Sequence, residues 1–274
     1  MLSVNTNAGA LVALQNLNST QGQLQTVQNR INTGLAVAGP KDNAAVYQIA
    51  QNLRADLAGM GAVKQSLDRA KSTVDIAIAG GQAVSDLLTQ MKAKAVAASD
   101  TGLDSASRTA LQNDFNALRD QISTIVSNAT FNGSNMLKNG GDNVSAIVSA
   151  DGTSTVTVTA TDLSLTGTTL TITAGTTFAT ATDASTVVTA LTTSINNVNA
   201  ALGKLGTGAN ALESQQTFAS KLSDAIETGI GNLVDADLAK ESANLQALQV
   251  KQQLGIQALS IANQAPSVLL SLFR

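Results

Sequence analysis

A seven-residue repeat of apolar side chains limits the folds open to this chain more than any other feature. One series consists of Leu53, Met60, Leu67, Val74, Gly81, Leu88 and Ala95. A second series, interleaved three residues on and following a polar Asp56, consists of Val63, Ala70, Ala77, Val84 and Met91. A seam sustained over about six heptads is typical of a long helix in a coiled-coil-like bundle. We therefore predict a helix from about Asn43 to Ala98.

Two further helices are predicted to complete this bundle. A downstream heptad series consists of Leu191, Val198, Leu205, Leu212, Ala219, Ile226 and Leu233. Apolar residues at spacings of three and four predict a shorter helix between the long ones: Leu111, Phe115, Leu118, Ile122 and Ile125. Glycines are expected to weaken both long helices locally, namely Gly80, Gly81, Gly229 and Gly231. We place the seam of this bundle at Leu53, Met60, Leu67, Val74, Leu88, Leu191, Val198, Leu205 and Leu212.

The segment from about Asn139 to Ser185 has a different composition, rich in Thr, Gly, Ser and Val. Alternating apolar residues in it predict short strands around three pairs: Val156 and Val158, Leu163 and Leu165, and Leu170 and Ile172. The Asp151-Gly152 dipeptide is a turn signal. We expect a small β insertion at one end of the bundle.

The two ends of the chain carry matching helical patterns. Leu17, Leu24 and Ile31 repeat every seven residues, and this helix should end before Gly39 and Pro40. Near the other end the repeat consists of Leu238, Leu245 and Leu259, with Gln252 in register. The C-terminal helix has further apolar residues off that seam, namely Val250, Leu254, Ile256 and Ile261. One partner helix cannot cover such a helix, so further copies of the chain are expected to do so.

The residue inventory excludes most catalytic and metal-binding chemistry. The chain has neither His nor Cys, which removes Ser-His-Asp and Cys-His catalysis and His or Cys metal ligands. Asp235, Asp237 and Glu241 lack the glycine and spacing of a calcium loop, and are expected to complement the positive end of a helix. No cofactor and no metal are predicted, and no enzymatic activity.

Charge and hydropathy exclude two classes of partner. A net charge of −3 with 13% charged residues gives no basic field for nucleic acid or an anionic membrane. There is no run of 18 apolar residues, so no membrane insertion is expected, and the N-terminus does not resemble a cleavable signal peptide. A structural, self-assembling subunit is favoured over a coiled-coil tether or adhesin, an exported translocator, or an enzyme that uses only carboxylates and hydroxyls.

Three segments resemble bacterial flagellins. The end "ANQAPSVLLSLFR" matches the family pattern at Ala262, Asn263, Gln264, Pro266, Leu270, Ser271, Leu272 and Arg274. The segment "NRINTGLAVAGPKDNAAVYQIA" matches at Arg30, Gly34, Lys41 and Asp42, and departs at Ala36, Gly39 and Pro40. "NATFNGSNML" is similar to the family's exit from its helical bundle. The resemblance covers roughly residues 1–140 and 185–274.

This resemblance implies a mainly α fold: a long-helix coiled-coil bundle with paired N- and C-terminal helices and a small β-hairpin insertion. The paired helices, called D0 in the family, would be residues 1–38 and 232–274. The bundle, called D1, would comprise 39–140 and 185–231, with the β insertion at 141–184. The implied function is a secreted structural subunit that polymerises into the flagellar filament for swimming motility. The alternatives are a hook-filament junction protein of the same family, or an exported coiled-coil effector or tether.

The resemblance also implies partners and contact residues. The partners are other flagellin subunits, hook-associated junction and cap proteins, and the flagellar export apparatus with its chaperone. We expect Pro266 to end the C-terminal helix and the apolar residues after it to pack among neighbouring subunits. The predicted self-assembly residues are Leu17, Leu24, Arg30, Ile31, Gly34, Leu238, Leu245, Leu259, Asn263, Pro266, Leu269, Leu270, Leu272, Phe273 and Arg274.

One family motif is degenerate in this chain. Flagellins bound by a vertebrate Toll-like receptor carry the segment Leu-Gln-Arg-Val-Arg-Glu-Leu-Ala-Val-Gln, which aligns with residues 88–97. The two arginines, the Glu and the second Leu are replaced by Gln90, Lys92, Ala93 and Lys94. Lys does not replace Arg at a bidentate contact. The resemblance therefore implies weak recognition by that receptor.

Overall fold

The chain folds mainly into α-helices, as the repeats predict. A computed structural model describes the backbone of residues 6–165 and 167–272, and the side chains of residues 6–165 and 167–264. Its helices are α1 (Ala8–Thr33), α2 (Ala44–Ala98), α3 (Ser105–Asn128), α4 (Ala181–Val234) and α5 (Leu238–Leu272). Its strands are β1 (Val144–Ile147) and β2 (Thr155–Val158). The predictions of α2 and of the shorter helix, α3, are confirmed.

Contacts divide the chain into two compact units. One, here called the end unit, holds the residues up to Ala55 and those from Ala225 onward, and the other, the central unit, spans Asp56–Asp224. Both divisions fall inside long helices, α2 and α4. The predicted domain boundaries, between 38 and 39 and between 231 and 232, lie elsewhere, and they stay predictions.

The central unit has one core, formed by the apolar faces of α2, α3 and α4. From α3 it includes Phe115 and Ile122, and the rings of Phe115 and Phe178 pack edge-to-face with centroids 5.3 Å apart. The seam residues of the long helices within this unit are all buried: Met60, Leu67, Val74, Leu88, Leu191, Val198, Leu205 and Leu212. The heptad pattern therefore identified the packed face of both helices. Leu53, at the end of the seam that belongs to the end unit, is half-buried.

Helix α4 begins at Ala181, four residues before the predicted start at 185. Thr180 and Asp183 form a reciprocal capping box. The backbone N–H and the hydroxyl of Thr180 donate to Asp183 Oδ2 (3.0 and 2.8 Å), and the Asp183 N–H donates to Thr180 Oγ1 (3.2 Å). The hydrogen bond from the Thr180 hydroxyl, with the one from its N–H, holds the pKa of the Asp183 carboxyl below its usual value. This cap starts the helix inside the Thr-rich segment.

The insertion contains a hairpin, but its pairing differs from the prediction. Strand β2 pairs antiparallel with β1, with Val144 opposite Val158, and Gly152 has a left-handed φ of 72° in the connection. The expected strands around Leu163 and Leu165 and around Leu170 and Ile172 are wrong, although all four side chains are buried as the alternation suggested.

Neither expected strand pairs with another strand: the Leu163 N–H donates to the Leu137 carbonyl (2.8 Å), and the backbone around Leu170 bonds side chains of α4. The Thr171 N–H donates to Ser194 Oγ (2.9 Å), and Asn197 Nδ2 donates to the Thr169 carbonyl (3.0 Å). An alternating pattern indicates that every second side chain is buried. It does not show that the segment is a strand, because a strand also needs a neighbouring strand with which to form hydrogen bonds.

The glycines expected to weaken the long helices do not interrupt them, since α2 and α4 run unbroken through all four. A Cβ added at Gly80 would lie 2.8 Å from Leu137 Cδ1, and one at Gly81 would lie 2.7 Å from Leu202 Cδ2. Tertiary contact therefore outweighs the helix propensity of these two residues, because the missing Cβ lets apolar neighbours pack against the backbone.

Two glycines near the start of the core give a matched test of such close packing. A Cβ at Gly59 would lie 2.7 Å from the carbonyl oxygen of Ala150, whereas a Cβ at Gly61 would meet nothing within 4 Å. We expect Gly59→Ala to lower the free energy of unfolding by about 1 to 3 kcal/mol through overpacking. Gly61→Ala should raise it by up to about 1 kcal/mol through helix propensity. Urea unfolding followed by circular dichroism measures both, and equal shifts would contradict the contact.

Candidate assembly surface

The helices at the two ends of the chain, α1 and α5, pack against each other in antiparallel orientation. Asn7 Nδ2, at the start of α1, donates to the carbonyl of Ala262 (2.6 Å). Leu17 Cδ1 approaches Gly255 so closely that an added Cβ would lie 3.3 Å from it. Near the end of α1, Arg30 forms an ion pair with Glu241, in the first turn of α5. The register is thus set at both ends and in the middle.

The core between these two helices is small. Its buried side chains are Leu24, Val27 and Leu248, and Ile31 and Leu245 are half-buried against them. The helices have 26 and 35 residues, so most of their described length carries no fully buried side chain. Within the described chain, α1 and α5 cover each other along one face only, and their other faces carry exposed side chains.

The Arg30–Glu241 pair is the main charged contact of the helix pair. Arg30 Nη1 lies 3.1 Å from Glu241 Oε1, and Glu241 is only 7% exposed. Two buried atoms of the pair, Arg30 Nε and Glu241 Oε2, make no hydrogen bond within the described chain. Removing either partner would leave an uncompensated charge in a poorly solvated place.

The chain enters and leaves the helix pair through one small backbone bridge. Gly34 ends α1 with a left-handed φ of 72°, and its N–H donates to the Arg30 carbonyl (2.8 Å). The Ala36 N–H then donates to the Val234 carbonyl (2.7 Å), and the Ala236 N–H donates to the Gly34 carbonyl (2.9 Å). The bridge lies between the end of α1 and the start of α5, so it holds those two helix ends together.

The Lys41-Asp42 pair, which matches the family pattern, lies just beyond that bridge. Asp42 Oδ2 accepts hydrogen bonds from the N–H groups of Ala38 and Gly39, each 3.0 Å long. These bonds form a tight turn ahead of α2. The departures from the family pattern at Ala36, Gly39 and Pro40 all fall in this connection.

Exposed apolar surface is concentrated in the end unit. Its large exposed apolar side chains are Leu11, Val12, Leu14, Ile49, Leu233, Leu238, Val250, Leu254, Ile256 and Ile261. In the described part of the central unit the corresponding residues are Val96, Ile147 and Phe218. Large apolar side chains exposed in such number are typical of association sites.

Helix geometry places part of this surface opposite the α1–α5 contact. At 100° per residue, Val250, Leu254 and Ile261 lie on the side of α5 away from Leu248 and Gly255. Ile261 is 70% exposed. The two-sided apolar pattern seen in the sequence therefore corresponds to one face that packs on α1 and one that has no cover in the described chain.

The seam residues predicted for the terminal helices mostly face the partner helix. Leu24 is buried, and Leu17, Ile31, Leu245 and Leu259 are half-buried. Leu238 departs from the prediction, because it is 49% exposed. Leu238 is the first residue of α5, three positions before Glu241, and α1 ends at Thr33, three positions after the Arg30 that pairs with Glu241, so the contact between the helices stops there. Asn263 is also exposed.

The predicted end of the C-terminal helix at Pro266 is wrong, since α5 continues to Leu272. Proline has a helical φ, but in a helix interior it removes one hydrogen bond and its ring crowds the carbonyl four residues before it, which disfavours that position without excluding it. The backbone at Leu269, Leu270 and Leu272 is helical. The side chains of residues 265–272, together with Phe273 and Arg274, lie outside the described residues.

The carboxylates considered for a metal site have structural roles. Asp237 Oδ1 caps α5 by accepting from the N–H groups of Ala239 (3.0 Å) and Lys240 (3.1 Å), as the helix-start interpretation predicted. Glu241 pairs with Arg30 instead. The described residues contain no group of three potential ligands placed to hold a metal. Nor is any helix in that part of the chain long and apolar enough to cross a membrane.

Sequence patterns did not identify Glu241 as the partner of Arg30, nor Leu11 and Val12 as part of the apolar surface. Glu241 is separated from Arg30 by 211 positions, so only the register of α1 on α5 joins them. Leu11 and Val12 do carry a local signal, since both are apolar and lie off the seam of Leu17 and Leu24.

The positions aligned with the receptor motif lie on α2 in the central unit. Gln90 and Ala93 are exposed, and Lys92 and Lys94 are half-buried. Lys94 Nζ forms an ion pair with Asp114 Oδ2 of α3 at 2.7 Å. The side chains at these positions are therefore partly accessible, and one is engaged within the bundle.

Family models match both ends of the chain. The model of the bacterial flagellin N-terminal helical region matches residues 4–141, and that of the bacterial flagellin C-terminal helical region matches residues 188–273. The chain is 52% identical over 272 residues to the flagellin FljK of Caulobacter vibrioides, covering 99% of this chain and 98% of that one. It is 38% identical over 287 residues to a flagellin of Brucella melitensis, covering all of both chains.

Two solved structures have a similar fold. The crystal structure of Bacillus cereus flagellin matches with a TM-score of 0.50 and 23% identity, over 59% of this chain and 94% of that one. A putative flagellar hook-associated protein from Vibrio parahaemolyticus matches with a TM-score of 0.57 and 14% identity, over 71% of this chain and all of that one. At these identities the likeness concerns the fold alone.

Substitution of two leucines of α5 should show which face of this helix packs against α1 and which face is exposed. Leu248→Ala removes a buried side chain, and we expect it to lower the free energy of opening of the α1–α5 pair by about 2 to 5 kcal/mol. Leu254→Ala removes a side chain that is 57% exposed, and its effect should stay within about 0.5 kcal/mol. Amide hydrogen exchange in α1 and α5 of the monomer measures both. Equal loss of protection would contradict the packing described.

Proposed function

The chain belongs to the bacterial flagellin family, and from that premise we propose that α1 and α5 form the surface through which its subunits assemble. As a flagellin it is a structural protein and not an enzyme. It polymerises with other flagellin subunits into the extracellular flagellar filament that serves swimming motility. We assign the contacts between subunits to residues of these two terminal helices.

The uncovered apolar face of α1 and α5 is the observation that supports this proposal. A helix that is apolar on two sides needs cover on both, and α1 supplies cover on one. Val250, Leu254 and Ile261 lie on the other side and are exposed. In a helical polymer the copies above, below and beside each subunit supply that cover. We assign the same role to the end of α5, including Leu269, Leu270 and Leu272.

A hook-filament junction protein is the alternative within the same architecture, and sequence similarity does not favour it. The hook-associated protein of similar fold shares 14% of its residues with this chain. The Caulobacter flagellin shares 52% over nearly the full length of both chains. An exported effector or tether has no comparable support.

We also propose domain limits for this subunit. The inner D0 domain would hold residues 1–38 and 232–274, and the D1 bundle 39–140 and 185–231 with its insertion at 141–184. The bridge between the end of α1 and the start of α5 supports these limits, because it closes the helix pair on itself. Gly34 is the residue we assign to that closure.

We assign the contacts with junction proteins, cap proteins and an export chaperone to the same surface of α1 and α5. Hook-associated junction and cap proteins would contact it at the two ends of the filament, where one neighbouring subunit is replaced by another protein. Before assembly the apolar side of α5 needs temporary cover, which is the role we assign to an export chaperone delivering the chain to the flagellar export apparatus.

Polymerisation should depend on the outer face of α5. Ile261→Gln removes an apolar side chain that is 70% exposed in the single chain. If neighbouring subunits bury it, the loss is about 1 to 2 kcal/mol, a five- to thirty-fold rise in the critical concentration for polymerisation. Seeded polymerisation measured by light scattering gives that concentration. The exposed Gln257→Ala on the same helix is the control, and an unchanged value for Ile261→Gln would refute the assignment.

The receptor motif yields a separate proposal, that the vertebrate Toll-like receptor recognises this flagellin weakly. The motif positions Gln90, Lys92 and Ala93 lack the two guanidinium groups and the carboxylate that would form directed hydrogen bonds. Gln90 and Ala93 are exposed, so both can be substituted without disturbing the core.

A gain-of-function variant tests this proposal. The triple variant Gln90→Arg, Lys92→Arg, Ala93→Glu should activate receptor reporter cells at a concentration at least about tenfold lower than the unaltered chain, as expected for regaining charged hydrogen bonds. Purified monomers are compared, with circular dichroism as the check on folding. A strong response to the unaltered chain would contradict weak recognition.

A further inference from the structure

The proline inside α5 leaves one helical carbonyl without its usual donor. In an α-helix each backbone N–H donates to the carbonyl four residues earlier. The nitrogen of Pro266 carries no hydrogen, and the carbonyl four residues before it belongs to Ala262. Helix α5 nevertheless continues through this position to Leu272. A donor from outside α5 is therefore required to replace the missing hydrogen bond.

Asn7, near the other end of the sequence, supplies such a donor. Its side-chain Nδ2 donates to the Ala262 carbonyl at 2.6 Å, across 255 positions of the chain. The other half of the same amide is also engaged, because Asn7 Oδ1 accepts from the Ala10 N–H (3.1 Å) and so caps the first turn of α1. One carboxamide thus pairs with a backbone group in each of two helices.

The start of α1 and this part of α5 are in direct contact. A Cβ added at Gly9 would lie 3.9 Å from the Cβ of Ala262. About two turns earlier in α5, Gly255 lies against Leu17. Packing on this side of α5 therefore holds the Asn7 side chain beside the carbonyl that Pro266 leaves without its helical donor.

We propose that Asn7 is a positioning residue, whose amide replaces the hydrogen bond that Pro266 removes and so holds the last turns of α5 in helical continuation. Asp and Ser cap a helix about as well as Asn does. Among the three, only Asn has an acceptor and a donor on separate atoms, so only Asn can cap α1 and donate to α5 at the same time.

This contact makes the course of residues 267–272 depend on the start of the same chain. Proline is the commonest cause of a helix kink, and a bend at Pro266 would redirect the backbone at Leu269, Leu270 and Leu272. We assigned these leucines to contacts between subunits, so the effect on assembly rests on the proposed function. The two ends of one chain must then be in place together before its tail can join a filament.

A double-mutant cycle between Asn7 and Pro266 tests the inference in the full chain. Asn7→Ser keeps an oxygen for the Ala10 N–H but removes the amide donor. We expect it to raise the critical concentration for polymerisation about five- to thirtyfold, as for a carbonyl left unpaired. Pro266→Ala restores the backbone N–H that the Ala262 carbonyl lacks. In that background Asn7→Ser should change the critical concentration by less than about twofold.

The matched control is Asn18→Ser on the same helix. Asn18 is exposed and lies roughly 16 Å along α1 from Asn7, so its effect should be the same with and without Pro266→Ala. If Asn7→Ser also has equal effects in both backgrounds, Asn7 acts only as the cap of α1, and the inference is refuted.

A structure of the filament formed by the unaltered chain decides the matter independently, even if Pro266→Ala by itself prevents polymerisation. Asn7 Nδ2 within hydrogen-bond distance of the Ala262 carbonyl, with α5 helical on both sides of Pro266, confirms the inference. Water or a residue of another subunit at that carbonyl overturns it. Both outcomes leave the proposed function intact, because the filament has formed.

Failure of the proposed function has a different signature. If the unaltered chain forms no filaments, that function fails, and the same double-mutant cycle is then measured by amide hydrogen exchange in α1 and α5 of the monomer. Loss of protection on Asn7→Ser that Pro266→Ala reverses supports the inference there, and an equal loss in both backgrounds refutes it.

Discussion

The antiparallel packing of α1 on α5 is the interaction on which the rest of this subunit depends. It brings the two ends of the chain together although they are far apart in sequence. It also uses up one face of each helix around Leu24, Val27 and Leu248 and leaves the opposite face of α5 without cover in the described chain. We propose that neighbouring copies of the chain supply the missing cover, because apolar helix faces are stable when buried.

The central unit buries more of its apolar side chains within the chain than the end unit does. Its three helices bury their seams against each other, and glycines such as Gly59 and Gly81 allow neighbours to approach the backbone closely. Hydroxyl and amide groups of α4, from Ser194 and Asn197, form hydrogen bonds with the backbone of the insertion at Thr171 and Thr169. The two units therefore differ in burial: the central unit buries most of its large apolar side chains within the chain, whereas the end unit leaves many exposed, on the surface that we propose for assembly.

Attraction and alignment have different chemical origins in the end unit. Exposed aliphatic side chains provide a non-directional driving force that grows with the area they bury. Directional contacts hold α1 and α5 of one chain in register: the Arg30–Glu241 pair, the Gly34 bridge and the Asn7 contact to Ala262.

The sequence alone determined the helices, their inner faces and the two-sided character of α5, because a periodicity of 3.5 to 3.6 residues is a local property of the chain. It also limited the chemistry, through the absence of His and Cys. The heptad pattern was less accurate at the end of α4, where Leu233 continues the repeat but is exposed and the adjacent Val234 is buried. The reason is that a straight helix departs by about 20° per heptad from a seven-residue repeat.

Only the tertiary structure decided which groups meet. It paired Arg30 with Glu241 and carried α5 through Pro266. It also replaced two expected strands by irregular segments, one hydrogen-bonded to α4 and the other to the backbone of Met136 and Leu137. Each of these outcomes depends on the register between segments distant in the chain or on the balance of a whole helix against one lost hydrogen bond. Local patterns carry no information on either, because register is set by the sum of many contacts.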